Sequence, residues 1–592
     1  MTNNVLKKTL IAALVSGLCL PVYAQQASNA DLLKKIEALT KELAELKTQV
    51  QSNNAAQAKN TQELREQVAK ADDKALNKWL TIGGDYQFRI DSLRGETRTF
   101  TDVNGTFANA QNALQGDFFA NPSTTPGSST YFGMMGMSTA GALTALSQFA
   151  NGMAGVRTYD QARAFVGNPM NGGLIQGIGG FAATVPSHKP KNDTLYTNRF
   201  GLDLAAKATQ NVSVNARLVM YKTFGAQDMD AVTNAGGAPY FADRVGVFDG
   251  TLGHVPSSSY LNVDRAFATW SNIGDMDMWF SVGRRPSTDG APGNLRRNAP
   301  RPGNGGTPAL LVDYAFDGMT LGYAPDIDAL PGAYGKICYG RGFESGYRSR
   351  PGNSLQDTDM LGIAIIPIDT DPLRVWTQWN RGFNIFDAPK MSATYFGNTM
   401  PKINLGDIDW YGLGAMGTIK NVGGGELNWF ADAGLSVTHP NRNVSSQFGF
   451  QGLMTGSFFA PEAPSSKTGS AFYAGLRYDL PSRTKLGFEY NHGSKNWITF
   501  APSATDMWTS KLGTRGNVYE VYAIQELDAK PVSSYSAKTF FRLGFQYYDF
   551  QYTGSNNWVG APVKIGSVNG QMMTLTPLSK AYNAYATFEV KF

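Results

Sequence analysis

The chain has 592 residues, of which 12% are aromatic and only 17% charged, with 65 glycines, four histidines and a net charge of +5. Glycine and aromatics with few charges suit many short strands and turns, and a small, dispersed positive charge argues against a nucleic-acid binder. Beyond residue 80 no Pro/Ser-rich linker divides the chain, so its length does not signal several soluble domains.

The N-terminal stretch "MTNNVLKKTLIAALVSGLCLPVYAQQ" pairs Lys7 and Lys8 with an apolar run from Leu10 to Leu20, then Val22-Tyr23-Ala24. That pattern predicts an export signal over residues 1–24, cleaved after Ala24. The apolar run is too short to span a bilayer as a helix. Leu18 stands before Cys19 where a lipid-attachment site wants a small residue. Cleavage would leave Cys338 as the only cysteine, which excludes an internal disulfide and a CxxCH haem site. No later run of 18 apolar residues exists, so an exported chain that enters a membrane does so with strands.

Residues 25–78 are expected to form a periplasmic coiled-coil segment. Leu32, Ile36, Leu39, Leu43, Leu46 and Val50 recur at alternating spacings of four and three, with Ile36, Leu43 and Val50 at a and Leu32, Leu39 and Leu46 at d. Asn53, Gln57 and Asn60 then occupy the seam. A helix lying on the body is the alternative to self-association.

From Trp79 the period changes to two. "LTIGGDYQFRID" places Leu80, Ile82, Tyr86, Phe88 and Ile90 opposite Asp85, Gln87, Arg89 and Asp91. The segments "NVSVNARLVMY", "ELNWFADAGLSV", "SAFYAGLRYDL" and "TKLGFEYN" repeat this alternation. Segments of about ten residues, apolar on one side and polar on the other, predict an all-β transmembrane antiparallel barrel with a wet lumen over residues 79–592. Alternating short turns and long loops give about sixteen strands, provided 309–324 is one bulged strand and Asp317-Gly318 is not a hairpin turn. The inward face then carries Arg89, Arg199, Arg217, Arg374, Arg477 and Arg542 against Asp85, Asp203, Asp432, Asp479, Glu426 and Glu489.

Two long loops stand out. In loop 92–193, Leu143, Leu146, Phe149 and Met153 form one helical stripe after Ser138 as cap. Such a surface is expected to fold into the lumen, pack on a neighbouring subunit, or serve a surface receptor. Loop 284–308 carries Arg284, Arg285, Arg296, Arg297 and Arg301 against one acid, Asp289. Folded into the pore, these would form a positive constriction, with Arg296 and Arg297 contributing most to a mild anion preference. The last strand alternates Phe588, Val590 and Phe592 with Thr587, Glu589 and Lys591, which suits a barrel-closing strand.

Motifs for other chemistry do not hold. "GLGAMG" (412–417) fits GxGxxG but lies inside a strand, where glycine eases curvature rather than cradling phosphate. There is no HExxH and no GxSxG. Asp357/Asp359 and Asp369/Asp371 read as turn caps rather than metal ligands.

The stretches "DTLYTNRFGLDLAAKATQNVSVNARLVMYK" (193–222), "VDRAFATWSNIGDMDMWFSVGRRPSTDGAPGNLRRN" (263–298), "CYGRGFESG" (338–346) and "RVWTQWNRGFNIFD" (374–387) resemble an uncharacterised family of outer-membrane porins from Gram-negative bacteria. The resemblance implies a porin-like barrel with no catalytic motif and no assigned solute. The terminal Phe588, Val590 and Phe592 look like the signal read by outer-membrane insertion machinery. The plan of coiled coil plus barrel is similar to that of trimeric sugar- and phosphate-type porins. The expected function is passive diffusion of small hydrophilic solutes by a homo-oligomer in outer-membrane lipid, without cofactor, metal, catalytic group or nucleic acid. The alternatives are a barrel sheath for a partner such as an electron carrier, and a surface receptor or adhesin.

Overall fold

The computed structural model describes residues 34, 36–38, 40–50, 79–225, 256, 259–285, 290–301, 308–347, 355–388, 391–394, 397–501, 505–527, 530–531, 537–558 and 560–592. The chain divides into two compact units, Met1–Lys78 and Trp79–Phe592. In the first, the described residues between 34 and 50 are helical, and Ile36, Leu43, Leu46 and Val50 are exposed on that helix. The expected export signal and most of the expected coiled coil lie outside the described residues.

The second unit is a closed antiparallel barrel of sixteen strands. In chain order these are β1 Leu80–Thr97, β2 Lys191–Lys207, β3 Val212–Thr223, β4 Asn262–Ser271, β5 Met278–Arg285, β6 Phe316–Tyr323, β7 Tyr334–Phe343 and β8 Thr358–Asp369. Then come β9 Arg374–Gly382, β10 Gly406–Val422, β11 Gly425–Pro440, β12 Thr468–Asp479, β13 Thr484–Gly493, β14 Gly516–Glu526, β15 Lys538–Phe550 and β16 Leu578–Lys591. Each strand pairs with its neighbours in sequence, and β1 pairs with β16 to close the barrel. Phe588 lies opposite Phe88 and Val590 opposite Tyr86 in that closing register. Phe592 and Gly84 exchange two backbone hydrogen bonds, of 2.8 and 3.0 Å. A Cβ on Gly84 would collide with the Phe592 ring, so glycine is required where the last side chain lies down.

Period two sorts the wall. On β1 Ile82 is 59% exposed on the outer face, while Arg89 on the inner face is 1% exposed. Connections alternate between short turns, such as 208–211, 370–373 and 480–483, and long loops, such as 98–190, 286–315 and 494–515. Asp317-Gly318 lies within β6, as the strand count requires. The expected strand over 309–324 is shorter than the alternation predicts: Leu310, Leu311, Val312 and Tyr314 leave the wall and are buried inside the barrel.

The first long connection is a helical subdomain of α1 Val103–Ala120, α2 Thr139–Gly155, α3 Tyr159–Gly167 and α4 Pro169–Gly179. The Ser138 hydroxyl caps α2 by accepting from the Gly141 N–H at 3.0 Å. Thr158 and Gln161 form a capping box on α3. Leu143, Leu146, Phe149 and Met153 form the stripe that the spacing predicts. Within the chain they pack with Val444, Phe450, Phe458 and Phe459 of the connection 441–467. Three short strands, Phe100–Asp102, Ala183–Val185 and Met572–Met573, tie this subdomain to the last long connection.

Candidate functional site in the barrel lumen

A Pro/Gly-rich segment has no strand partner for its carbonyls, and wall cations supply the missing donors to loop 290–301. Arg477 Nη1 donates to the Leu295 carbonyl at 2.7 Å and Arg542 Nη1 to the Arg296 carbonyl at 2.7 Å. Lys591 Nζ donates to the Arg297 and Asn298 carbonyls at 2.9 and 3.1 Å. Arg301 reaches the Thr370 carbonyl at 2.5 Å and pairs with Asp369. Lys591 and Thr370 stand at the short-turn end, so the loop enters at one end of the lumen and reaches the other.

Midway, two inward loops share one wall carboxylate. Glu520 on β14 accepts from Arg296 of loop 290–301 at 3.2 Å and from Lys511 of loop 494–515 at 2.7 Å. Tyr585 Oη donates to it at 2.6 Å and Gln546 Nε2 at 3.1 Å. Asp506 accepts from Arg296 at 3.3 Å, and Lys511 also pairs with Glu489, which takes a 2.6 Å bond from Tyr473 Oη. Every side chain in this clasp is buried. In a low-dielectric interior such a network holds because the cations and carboxylates satisfy one another.

The remaining inward charges pair along the wall. Arg199 meets Asp85 at 2.9 Å. Arg217 pairs with Asp85 and, at 2.5 Å, with Asp203. Arg265 meets Asp264 at 3.1 Å and Arg89 meets Asp91 at 2.7 Å. Arg477 meets Asp479, and Arg542 meets Glu589, each at 2.7 Å. Arg374 donates to Tyr334 Oη at 2.5 Å, and Asp432 accepts from Trp376 Nε1 at 3.4 Å. Glu426 is exposed at the short-turn end of β11.

Three features differ from the sequence expectation. Arg284 does not face the pore. It shares the outer face of β5 with the exposed Val282 and pairs with Asp317 of β6 at 2.8 Å. Arg285 is a wall residue, whose guanidinium donates to Thr320 Oγ1 and to the Tyr339 carbonyl. Arg296 is matched by two carboxylates instead of standing as an open positive charge.

Much of the lumen is also filled rather than wet. Leu310, Leu311, Trp410, Trp497, Ile498, Phe500 and Trp558 form part of a continuous apolar core. Trp410 Nε1 donates to the Ile498 carbonyl at 2.8 Å and Trp558 Nε1 to the Phe386 carbonyl at 3.0 Å. Gly412 and Gly434 face each other across β10 and β11, and a Cβ on either would strike Leu311. In "GLGAMG" Gly412 therefore serves close approach by a loop, while Gly414 leaves room for the Trp376 ring of β9 and Gly417 for the Pro372 carbonyl.

Glu520, Lys511, Asp506 and Tyr585 are absent from the sequence-based site. A signal for the filled lumen was present: Trp410-Tyr411, Trp429-Phe430, Phe540-Phe541 and Tyr547-Tyr548 break the alternation. One member of each pair is buried on the inner face. Among the described residues no three His, Cys, Asp or Glu side chains are grouped to hold a metal.

The model of a family described as "Protein of unknown function (DUF3373)" matches residues 189–592. The chain belongs to this family. No curated protein matches the sequence. Among solved structures, the anion-selective porin from Comamonas acidovorans is 9% identical, with a TM-score of 0.36 over 87% of this chain and 99% of that one. OprB of Pseudomonas putida is 8% identical, with a TM-score of 0.38 over 87% and 95%. The outer-membrane channel DcaP of Acinetobacter baumannii is 10% identical, with a TM-score of 0.33 over 87% and 97%. The likeness extends to the barrel fold alone.

Proposed function

We propose that this chain is an outer-membrane channel of the porin type that passes small hydrophilic solutes by passive diffusion. The observation that carries the reading is a closed sixteen-stranded wall, apolar outside and lined inside by paired charges, with a loop folded inward along its whole depth. An apolar outer face needs lipid, and a polar inner face is what a hydrated solute requires. On this reading the long loops face outward, the short turns and the helix of residues 34–50 face the periplasm, and Phe588, Val590 and Phe592 mark the strand read during insertion. A homo-oligomer, a trimer by analogy, would be held in part by the exposed heptad residues Ile36, Leu43, Leu46 and Val50.

A mild anion preference is part of the proposal, with its source moved along the lumen. Arg296 is balanced by Glu520 and Asp506. Arg301 and Arg374 share Asp369, and Arg285 binds neutral acceptors. Conductance and reversal potential in planar bilayers under a salt gradient test both parts: discrete steps with anion selectivity are expected, and cation selectivity would remove the preference.

The packed lumen favours a second reading, a barrel that scaffolds a partner protein. On the inner faces of β14–β16, Glu520, Gln546 and Asn583 are at most 1% exposed. The absence of any conductance, together with a partner that co-purifies in mild detergent, would select it.

A further inference from the structure

In the helical subdomain, Met170, Gly173 and Gly177 share one stripe of α4, at spacings of three and four. The turn Gly133–Met135 docks along that stripe. The Phe132 ring, 2% exposed, lies over Gly177. The Met135 thioether lies over Gly173, its Sδ 3.5 Å from where a Cβ there would stand. Backbone bonds fix the turn: the Met135 and Met137 N–H groups donate to the Phe132 carbonyl at 3.0 and 3.2 Å, and the Gly136 N–H to the Gly133 carbonyl at 2.9 Å. Gly136 supplies the positive φ, 75°, that the reversal requires. Met170 is the next member of the stripe, three residues before Gly173, which puts it beside Met135 on the helix surface.

Core packing does not account for this group of methionines. Met170 is 53% exposed and Met135 40%, and Met134 on the same turn is wholly exposed. Residues 103–181 contain no His or Cys, and their charged side chains are Asp117, Arg157, Asp160 and Arg163 alone. Both acids are engaged. Asp117 accepts from Ser129 Oγ at 3.0 Å and the Thr130 N–H at 2.8 Å, and Asp160 pairs with Arg442 at 2.6 Å. The subdomain therefore offers thioether sulfur without a competing hard ligand.

We propose that Met135 and Met170, with Met134 completing the set, form an exposed thioether site for a soft monovalent metal ion, copper(I) or its analogue silver(I). A thioether is neutral, polarisable and a weak hydrogen-bond acceptor. Such ligands leave calcium and magnesium to oxygen donors and select copper(I). The unbranched side chains have three rotatable bonds each, so the sulfurs close on an ion without movement of the docked turn. The site belongs to the subdomain and is independent of whether the barrel conducts.

Silver(I) alone tests this on the full chain in detergent, in a Cys338→Ser background that removes the barrel thiol. X-ray absorption of the bound silver should show sulfur neighbours. Affinity should stay constant between about pH 5 and 8, because thioethers do not titrate. Met135→Leu with Met170→Leu conserves side-chain volume and should weaken binding by roughly tenfold or more. Met276→Leu with Met400→Leu, at two exposed methionines elsewhere, should leave it unchanged. No silver retained, oxygen or nitrogen neighbours in place of sulfur, or equal affinity in the two double variants would overturn the site. Should the first variant fail to assemble, Met170→Leu alone serves at its half-exposed position, and unchanged affinity there would equally overturn it.

Discussion

Replacing Arg296 by Ala tests whether the clasp at Glu520 holds loop 290–301 in the lumen. The guanidinium lies 3.2 Å from Glu520 and 3.3 Å from Asp506, and both carboxylate side chains are at most 5% exposed. Its removal leaves Glu520, Asp506 and Glu489 facing Lys511 alone. Breaking a buried pair from one side costs about 3–5 kcal/mol, because the stranded charge stays desolvated. If that energy falls on the docked state of the loop, the ratio of undocked to docked rises roughly a hundred- to several-thousandfold. In single-channel records the variant should spend far longer at a larger conductance than the wild type, and Arg296→Lys should lie between them. Wild-type conductance and open times in Arg296→Ala would refute the clasp as the element that sets the constriction.

Four further outcomes follow from the geometry. Leu476→Arg puts a charge on the outer face and should cost about 2–4 kcal/mol near the midplane, whereas Asn215→Arg, on the half-buried inner face of β3, should be tolerated; folding yields into lipid vesicles compare them. Deleting Phe592 removes its two backbone bonds to Gly84 and the ring that covers it, and should lower the heat-resistant folded fraction in outer-membrane preparations. Leu43→Ser with Leu46→Ser should reduce the native oligomer in mild-detergent electrophoresis, since both side chains are exposed on the described helix. Asp369→Asn removes the carboxylate shared by Arg301 and Arg374 and should move the reversal potential toward stronger anion preference.

The barrel was legible in the chain because its cause is local. Each strand must show an apolar face to the outside, and period two writes that requirement into consecutive residues such as Leu80–Asp91. The count of sixteen followed from alternating short and long connections, and the α2 stripe followed from 3.6-residue spacing after Ser138. What fills the lumen was decided only by tertiary structure. Arg296 read as an open positive charge because its partners, Glu520 and Asp506, lie more than two hundred residues away. Arg284 and Arg285 are adjacent in sequence, yet one faces outward and the other inward. Buried charges are stabilised by whichever opposite charges the fold brings within about 4 Å, and no local period encodes that proximity.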